Sequence, residues 1–423
     1  MQVMVIGAGI GGLALACGLQ RHGIDVEVVE RDTDLARTGG YHLHLHAPAL
    51  SALRRLLDPD VLEQLYAVSA GGRADDGVVV RDHRGRLLTR GRAAVTADQS
   101  LNVDRVTLRT LLGRSVAPAV RLGTSYVGCE LSGDGTVEAR FSDGSRSRAD
   151  VLVGADGVGS RVAEALAGRP TSAPVGLIGV GGFTPVDALS SSAAGFLGAH
   201  STFAVGPRGT GLYIGYHDPR GEALITTPLD QPPATQTATY IWGAMIAESD
   251  RTRELLAFGG ADLGRATSQW MRGAGWSTRL ITVIEHARTQ GLAAFRLHAA
   301  IDPAQLAPWP AGRITALGDA VHAVPPTGGQ GAATAILDAD LLCRELCAAL
   351  RGEKAVNVAV NDFHHQMRSY ARVAVTESLR PVSRIRATAT PVGATLLRVA
   401  LPVAGGLSAA RYGAKDAAAK LRR

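Results

Sequence analysis

The first thirty residues restrict what this chain can fold into more than any other stretch. Val3-Met-Val-Ile6 is a short unbroken apolar run, the pattern of a strand buried on both faces of a parallel sheet. Gly7-Ala-Gly9-Ile-Gly-Gly12 follows at once, and Leu13 to Arg21 reads as a helix rich in Ala and Leu, closed by Gly23 in a left-handed cap. Asp25 to Val29 then makes a second strand ending in Glu30. Each position has a physical task. Gly7 permits a tight turn, Gly9 lets the backbone approach a pyrophosphate, and Gly12 lets the helix lie close on the strand. The helix N-terminus offers free N–H groups and a partial positive charge to phosphates. Glu30 stands 18 residues beyond Gly12, where a carboxylate accepts from ribose hydroxyls and repels a 2′-phosphate. The unit predicts a dinucleotide site and does not by itself separate NAD from FAD.

Later segments separate them. Residues 150 to 161, Asp-Val-Leu-Val-Gly-Ala-Asp156-Gly157-Val-Gly-Ser160-Arg161, read as a buried strand with a sharp turn into a helix. Arg313-Ile-Thr-Ala-Leu-Gly318-Asp319 is another apolar strand ending in Gly-Asp. Ala-Val-His322-Ala-Val-Pro325-Pro326-Thr327-Gly328-Gly329-Gln-Gly331 follows, then a helix from Ala332 to about Leu350. In this order and at these separations the three motifs resemble the class A flavoprotein monooxygenases, the aromatic hydroxylase family, over roughly the first 370 residues. The weaker details are closest to the tetracycline-degrading branch. The resemblance implies an α/β fold: a Rossmann-type FAD-binding domain with an inserted antiparallel-sheet substrate domain and a C-terminal helical segment. The FAD-binding domain is discontinuous, at 1–72, 98–172 and 285–365; the substrate domain is 73–97 and 173–284; the helical region is 366–423.

The resemblance also implies roles. Asp319 binds a ribityl hydroxyl of FAD, its plain alternative being to cap the following turn. Gly329, Gly331 and Ala332 open a helix whose amides and dipole face the flavin pyrimidine edge. Arg105, in Asn102-Val-Asp-Arg105-Val-Thr-Leu-Arg109, is a helix-start arginine that contacts FAD or else a solvated one. Arg31, beside Glu30, and Arg37, on the loop after it, are candidates for cofactor charge, with a surface role as the alternative for Arg37. Asp156-Gly157 borders both FAD and the nicotinamide cofactor, unless Asp156 only braces its turn. Three positions depart from the family pattern: Ala163 lies where a Val-Arg pair would supply a second basic group, Ala333 where Asn is usual, and Pro48 where Asn is common.

Between the second and third motifs, Val175 to Gly181, Ser201 to Val205, Gly211 to Tyr216, Ala223 to Thr227 and Thr239 to Ala247 read as strands separated by Gly and Pro turns, an antiparallel sheet. By resemblance this sheet roofs a substrate pocket with Phe203, Tyr213 and Gly215 as walls, or as ordinary core, while Pro326 and Thr327 face the substrate from the other side. The sequence carries no second strand-GxGxxG-helix unit, so NAD(P)H is expected to visit a cleft of the FAD domain. His42, His44 and His46 fall on one face of an extended segment, but no carboxylate or cysteine accompanies them and no metal is expected.

The net charge of +6 arises from scattered arginines and does not predict nucleic-acid binding. Cys17, Cys129, Cys343 and Cys347 form no CxxC pair and read as reduced thiols of a cytoplasmic protein. The apolar stretch Pro391 to Leu407 contains Arg398, Pro402 and a Gly pair, so no integral membrane span is expected. The implied function is an FAD-dependent monooxygenase, monomeric or homodimeric. It uses NAD(P)H and O2 to hydroxylate or epoxidise an aromatic or polyketide-like small molecule through a flavin C4a-hydroperoxide, with no nameable catalytic residue. The alternatives are an FAD oxidase or reductase without oxygen insertion, and a redox-silent ligand-binding homologue.

Overall fold

The computed structural model describes residues 1–37, 42–71, 78–90, 100–218 and 235–390. Five parallel strands form its first sheet, in the order Ile314–Ala316, Val151–Gly154, Gln2–Ile6, Asp25–Val29 and Val120–Arg121. Val3 lies opposite both Val151 and Val26. One face is covered by the helices Ile10–Arg21 and Gly331–Leu350. The other face packs Met4, Ile6 and Leu152 against Tyr126, Val137 and Phe141 of a three-stranded antiparallel sheet. Burial on both faces explains the unbroken apolar runs. The strand order also sets the three glycine motifs side by side, because Gly7, Ala155 and Leu317 each follow the C-terminal end of one of three adjacent strands. Crevices at such ends are where parallel sheets hold ligands.

The second sheet has seven strands, in the order Ala293–Ala300, Ser172–Pro185, Thr239–Ala247, Thr210–His217, Thr202–Gly206, Val79–Asp82 and Leu87–Arg90. It is antiparallel except where Thr202–Gly206 runs parallel to Val79–Asp82; besides strands from 173–284 it contains those of 78–90 and also Ala293–Ala300, a segment expected in the FAD-binding domain. The expected strand at Ala223 to Thr227 lies outside the described residues. One face buries Ile178, Tyr240, Trp242 and Ile246 against the helices Gly260–Gly273 and Thr278–Glu285. The opposite face packs Leu177, Met245 and Leu297 against Val382 and Ile385.

Those last two residues belong to the helix Val356–Ala387, 32 residues long and therefore about 48 Å at 1.5 Å per residue. The boundary expected at 365/366 falls inside it. The helix is a tie between the two sheets: Phe363 and Met367 lie in the core of the first domain, and Ile385 reaches the second. A small three-stranded sheet, Ala70–Gly71, Ser100–Asp104 and His42–His46, completes the described strands. Among the described residues no helix is long and apolar enough to cross a membrane.

Candidate FAD site

Gly7 has φ +107°, and a Cβ there would lie 2.4 Å from the Ala155 carbonyl oxygen. A Cβ on Gly12 would lie 2.2 Å from the Gly7 oxygen. Both glycines are therefore required by neighbouring backbone. Gly9 differs: a Cβ there meets only the Ala155 oxygen, at 4.0 Å, and would project into open space. Gly9 caps the helix Ile10–Arg21 without a side-chain hydrogen bond, so the first-turn N–H groups remain available.

Glu30 is buried at the adjacent strand end. Its Oε2 accepts from Ala8 N at 2.7 Å and its Oε1 from Asp32 N at 2.9 Å. Arg109 Nη2 lies 3.1 Å from the same carboxylate. Arg109 is 5% exposed. Its Nε donates to the Ala8 carbonyl at 2.7 Å, and its Nη1 to Asp32 Oδ2 at 3.2 Å and to the Leu35 carbonyl at 3.1 Å. One guanidinium thus fastens the glycine loop to the acid-bearing strand end. Arg109 lies one helical turn beyond Arg105, and only the burial of the folded chain separates the two.

Arg105 opens the helix Arg105–Ser115 behind Asp104, which accepts from Val106 N and Thr107 N at 2.6 and 3.0 Å. It stands close enough to Asp319 to oppose that group's pKa rise. Burial raises the Asp319 pKa, while His322 and Arg105 hold it back. Gly318, φ +62°, is the cap of the helix Asp319–His322, so Asp319 is its first residue and not its cap. Its Oδ1 accepts from Val324 N at 3.3 Å. A Cβ on Gly331 would lie 3.8 Å from that same oxygen. The Gly-Asp turn and the glycine loop therefore converge. The helix Gly331–Leu350 begins there without a side-chain cap, and Gly329, φ +63°, faces open space.

A family model described as FAD binding domain matches residues 1–210 and 258–378. The chain belongs to this FAD-binding family. It is 28% identical over 398 residues to a dual O-methyltransferase/FAD-dependent monooxygenase of Cercospora beticola, covering 88% of this chain and 44% of that one. The chain thus spans about half the length of the first curated relatives it matches. It is 28% identical over 378 residues to aurachin C monooxygenase/isomerase of Stigmatella aurantiaca, covering 86% and 87% of the two chains. The fold matches that of Klebsiella pneumoniae HpxO complexed with FAD and uric acid, with TM-score 0.74, 22% identity and 97% and 94% coverage.

The residues present fit FAD. The open space at Gly9, the uncapped helix Ile10–Arg21 and Glu30 suit a pyrophosphate and a ribose, while Asp319 and the open side of Gly329 suit the polyol and ring. Several other expected residues make contacts within the chain or lie at its surface. Asp156 accepts from Ser160 Oγ, from Arg161 N at 2.9 Å and from Val162 N at 3.4 Å, so it braces its own turn. Arg31 is exposed, and Arg37 is an exposed donor to Thr33 Oγ1 at 3.5 Å. Thr327 was expected to face a substrate, but its hydroxyl donates to the Ser378 carbonyl at 2.5 Å. Pro326 is exposed, and Ala332, in the first turn of the helix Gly331–Leu350, is half-buried. The alanines at the departures, Ala163 and Ala333, are fully buried, where a polar side chain would need a partner.

His44 Nδ1 lies 3.0 Å from Asn102 Oδ1, and His46 Nδ1 accepts from Ala49 N at 3.4 Å. Both rings thus serve local structure. Phe203 and Tyr213 are cross-strand partners on the sheet face opposite Trp242, with Gly215 two residues along it. Gly243 lies directly opposite Tyr213 on that face.

Proposed function

We propose that this protein is an NAD(P)H-dependent FAD monooxygenase acting on a flat, fused-ring aromatic or polyketide-like small molecule. The observation that carries the reading is the meeting of Asp319 with the uncapped N-terminus of the helix Gly331–Leu350. FAD, when bound, supplies hydride acceptance and the activation of dioxygen. The chain supplies positioning: Glu30 and Arg109 at the ribose end, Asp319 at the polyol, and Arg105 as a nearby cation. The positive end of that helix favours negative charge at the open side of the loop.

The substrate side is read from the second sheet. Gly181, Gly243, Tyr213 and Phe203 form one row across four strands. Gly243 meets nothing within 4 Å where its Cβ would be. A row that changes from side-chain-free backbone to two aromatic rings suits a planar ligand laid along it.

Two results test this. Flat phenolic ring systems should accelerate NADH or NADPH oxidation by the FAD-loaded protein, and a panel in which none does so contradicts the proposal. Gly243 has an ordinary φ, so Gly243→Phe should fold and keep FAD while raising KM for fused-ring substrates by roughly tenfold, about 1.4 kcal/mol. An unchanged KM places the substrate elsewhere.

A further inference from the structure

Beneath the Gly318–Asp319 turn lies a buried polar group that no cofactor motif includes. Asp338 is in the third turn of the helix Gly331–Leu350 and is 0% exposed. Its Oδ2 accepts from Gly318 N at 2.7 Å and lies 2.6 Å from His322 Nε2. Its Oδ1 accepts from the Tyr370 hydroxyl at 2.7 Å. Three donors from three places thus converge on one carboxylate: the residue just before Asp319, the end of the helix Asp319–His322, and the helix Val356–Ala387. The carboxylate itself sits on the helix whose first residue, Gly331, borders Asp319. A charged carboxylate in a core is costly unless paired and fully hydrogen-bonded; these contacts meet that condition. His322 is likewise fully buried, its Nδ1 has no hydrogen bond among the described residues, and Asp338 is its polar anchor.

We propose that Asp338, paired with His322, is a positioning residue for FAD, holding the Gly318–Asp319 turn at the distance from the glycine loop that the ribityl chain and flavin require. The inference rests on FAD lying against Asp319. It assigns the pair no part in holding the adenine half, which Glu30 and Arg109 serve.

The pair also makes folding stability sensitive to pH. Burial disfavours the imidazolium, but the Asp338 charge and hydrogen bond, together with Asp319, outweigh it and raise the His322 pKa above 6.5. The groups facing the pair are Asp319 on the same short helix, Arg105 opposing Asp319, and Tyr370, which in turn faces Asp340 and Arg344. A raised folded pKa gives a contribution that is complete below the ordinary value and lost as pH climbs through the raised one.

The test uses flavin-free protein and two probes, FAD and ADP, the latter carrying only the adenine half. Asp338→Asn keeps the shape but replaces one acceptor oxygen with an amide NH2, which either opposes the Gly318 N–H and His322 or removes the acceptor of the Tyr370 hydroxyl, and which carries no charge to pair with His322. FAD affinity should fall at least tenfold and ADP affinity by less than twofold. His322→Gln, which keeps a donor but cannot ionise, should show the same selectivity and lose the fall in folding stability with rising pH that the raised His322 pKa gives the wild type. Equal losses for FAD and ADP would mean general structural support and overturn the proposal, as would unchanged FAD affinity. Should Asp338→Asn fail to fold, the FAD-to-ADP ratio of His322→Gln decides. Wild-type protein that binds no FAD would sink the underlying reading instead, a separate outcome.

Discussion

Gly12→Ala should destroy FAD retention while Gly9→Ala, three residues away, should weaken it without harming the fold. A Cβ at Gly12 lies 2.2 Å from the Gly7 carbonyl oxygen, 3.0 Å from Ala155 Cβ and 3.2 Å from Val5 Cγ1. None of these is the end of a flexible side chain, so the helix Ile10–Arg21 must move off the sheet. Overpacking of this kind costs about 1–3 kcal/mol of stability, and the displaced N-terminus no longer presents its amides to phosphate. FAD affinity should drop on the order of 100-fold, about 2.7 kcal/mol. At Gly9 the added methyl enters open space. Urea unfolding of flavin-free Gly9→Ala should match wild type within about 0.5 kcal/mol, with the loss confined to FAD. Equal unfolding midpoints for the two variants would contradict the close helix–strand contact.

The second large effect belongs to Arg109. Arg109→Met leaves Glu30 buried, without its 3.1 Å cation, and removes the donors to Ala8 and Leu35. Breaking a buried pair by deleting one partner costs about 3–5 kcal/mol, because the remaining charge stays uncompensated. The variant should unfold at much lower urea concentration and bind FAD poorly. Adding Glu30→Gln to it should recover part of the stability, since no lone carboxylate remains; additive losses in the double variant would show that the two residues do not act as a pair.

The contrast between these residues shows what the sequence made legible. Gly7, Gly9, Gly12 and Glu30 lie in one continuous stretch whose strand, turn and helix are set by local periodicity and glycine freedom. The Gly318-Asp319 turn and the glycine loop are local in the same way. Arg109 is not: its partner Ala8 is 101 residues away, and nothing along the helix Arg105–Ser115 marks it apart from Arg105. Asp338 reads as one polar position in an apolar helix until the fold brings Gly318, His322 and Tyr370 to it. Thr327 is a further case: its hydroxyl, beside the glycine loop, has as its partner a helix carbonyl 51 residues on, which local sequence does not reveal. The expected boundary at 365/366 falls inside the helix Val356–Ala387, because a long amphipathic helix can serve two cores and periodicity does not say how many.

The most direct test of the central claim is the fate of dioxygen. FAD-loaded protein supplied with NAD(P)H, a turnover-supporting aromatic substrate and ¹⁸O-labelled O2 should give product carrying one labelled oxygen atom per NAD(P)H consumed. Product formed without label, or substrate left unchanged while each NAD(P)H oxidised yields one hydrogen peroxide from O2, would contradict it.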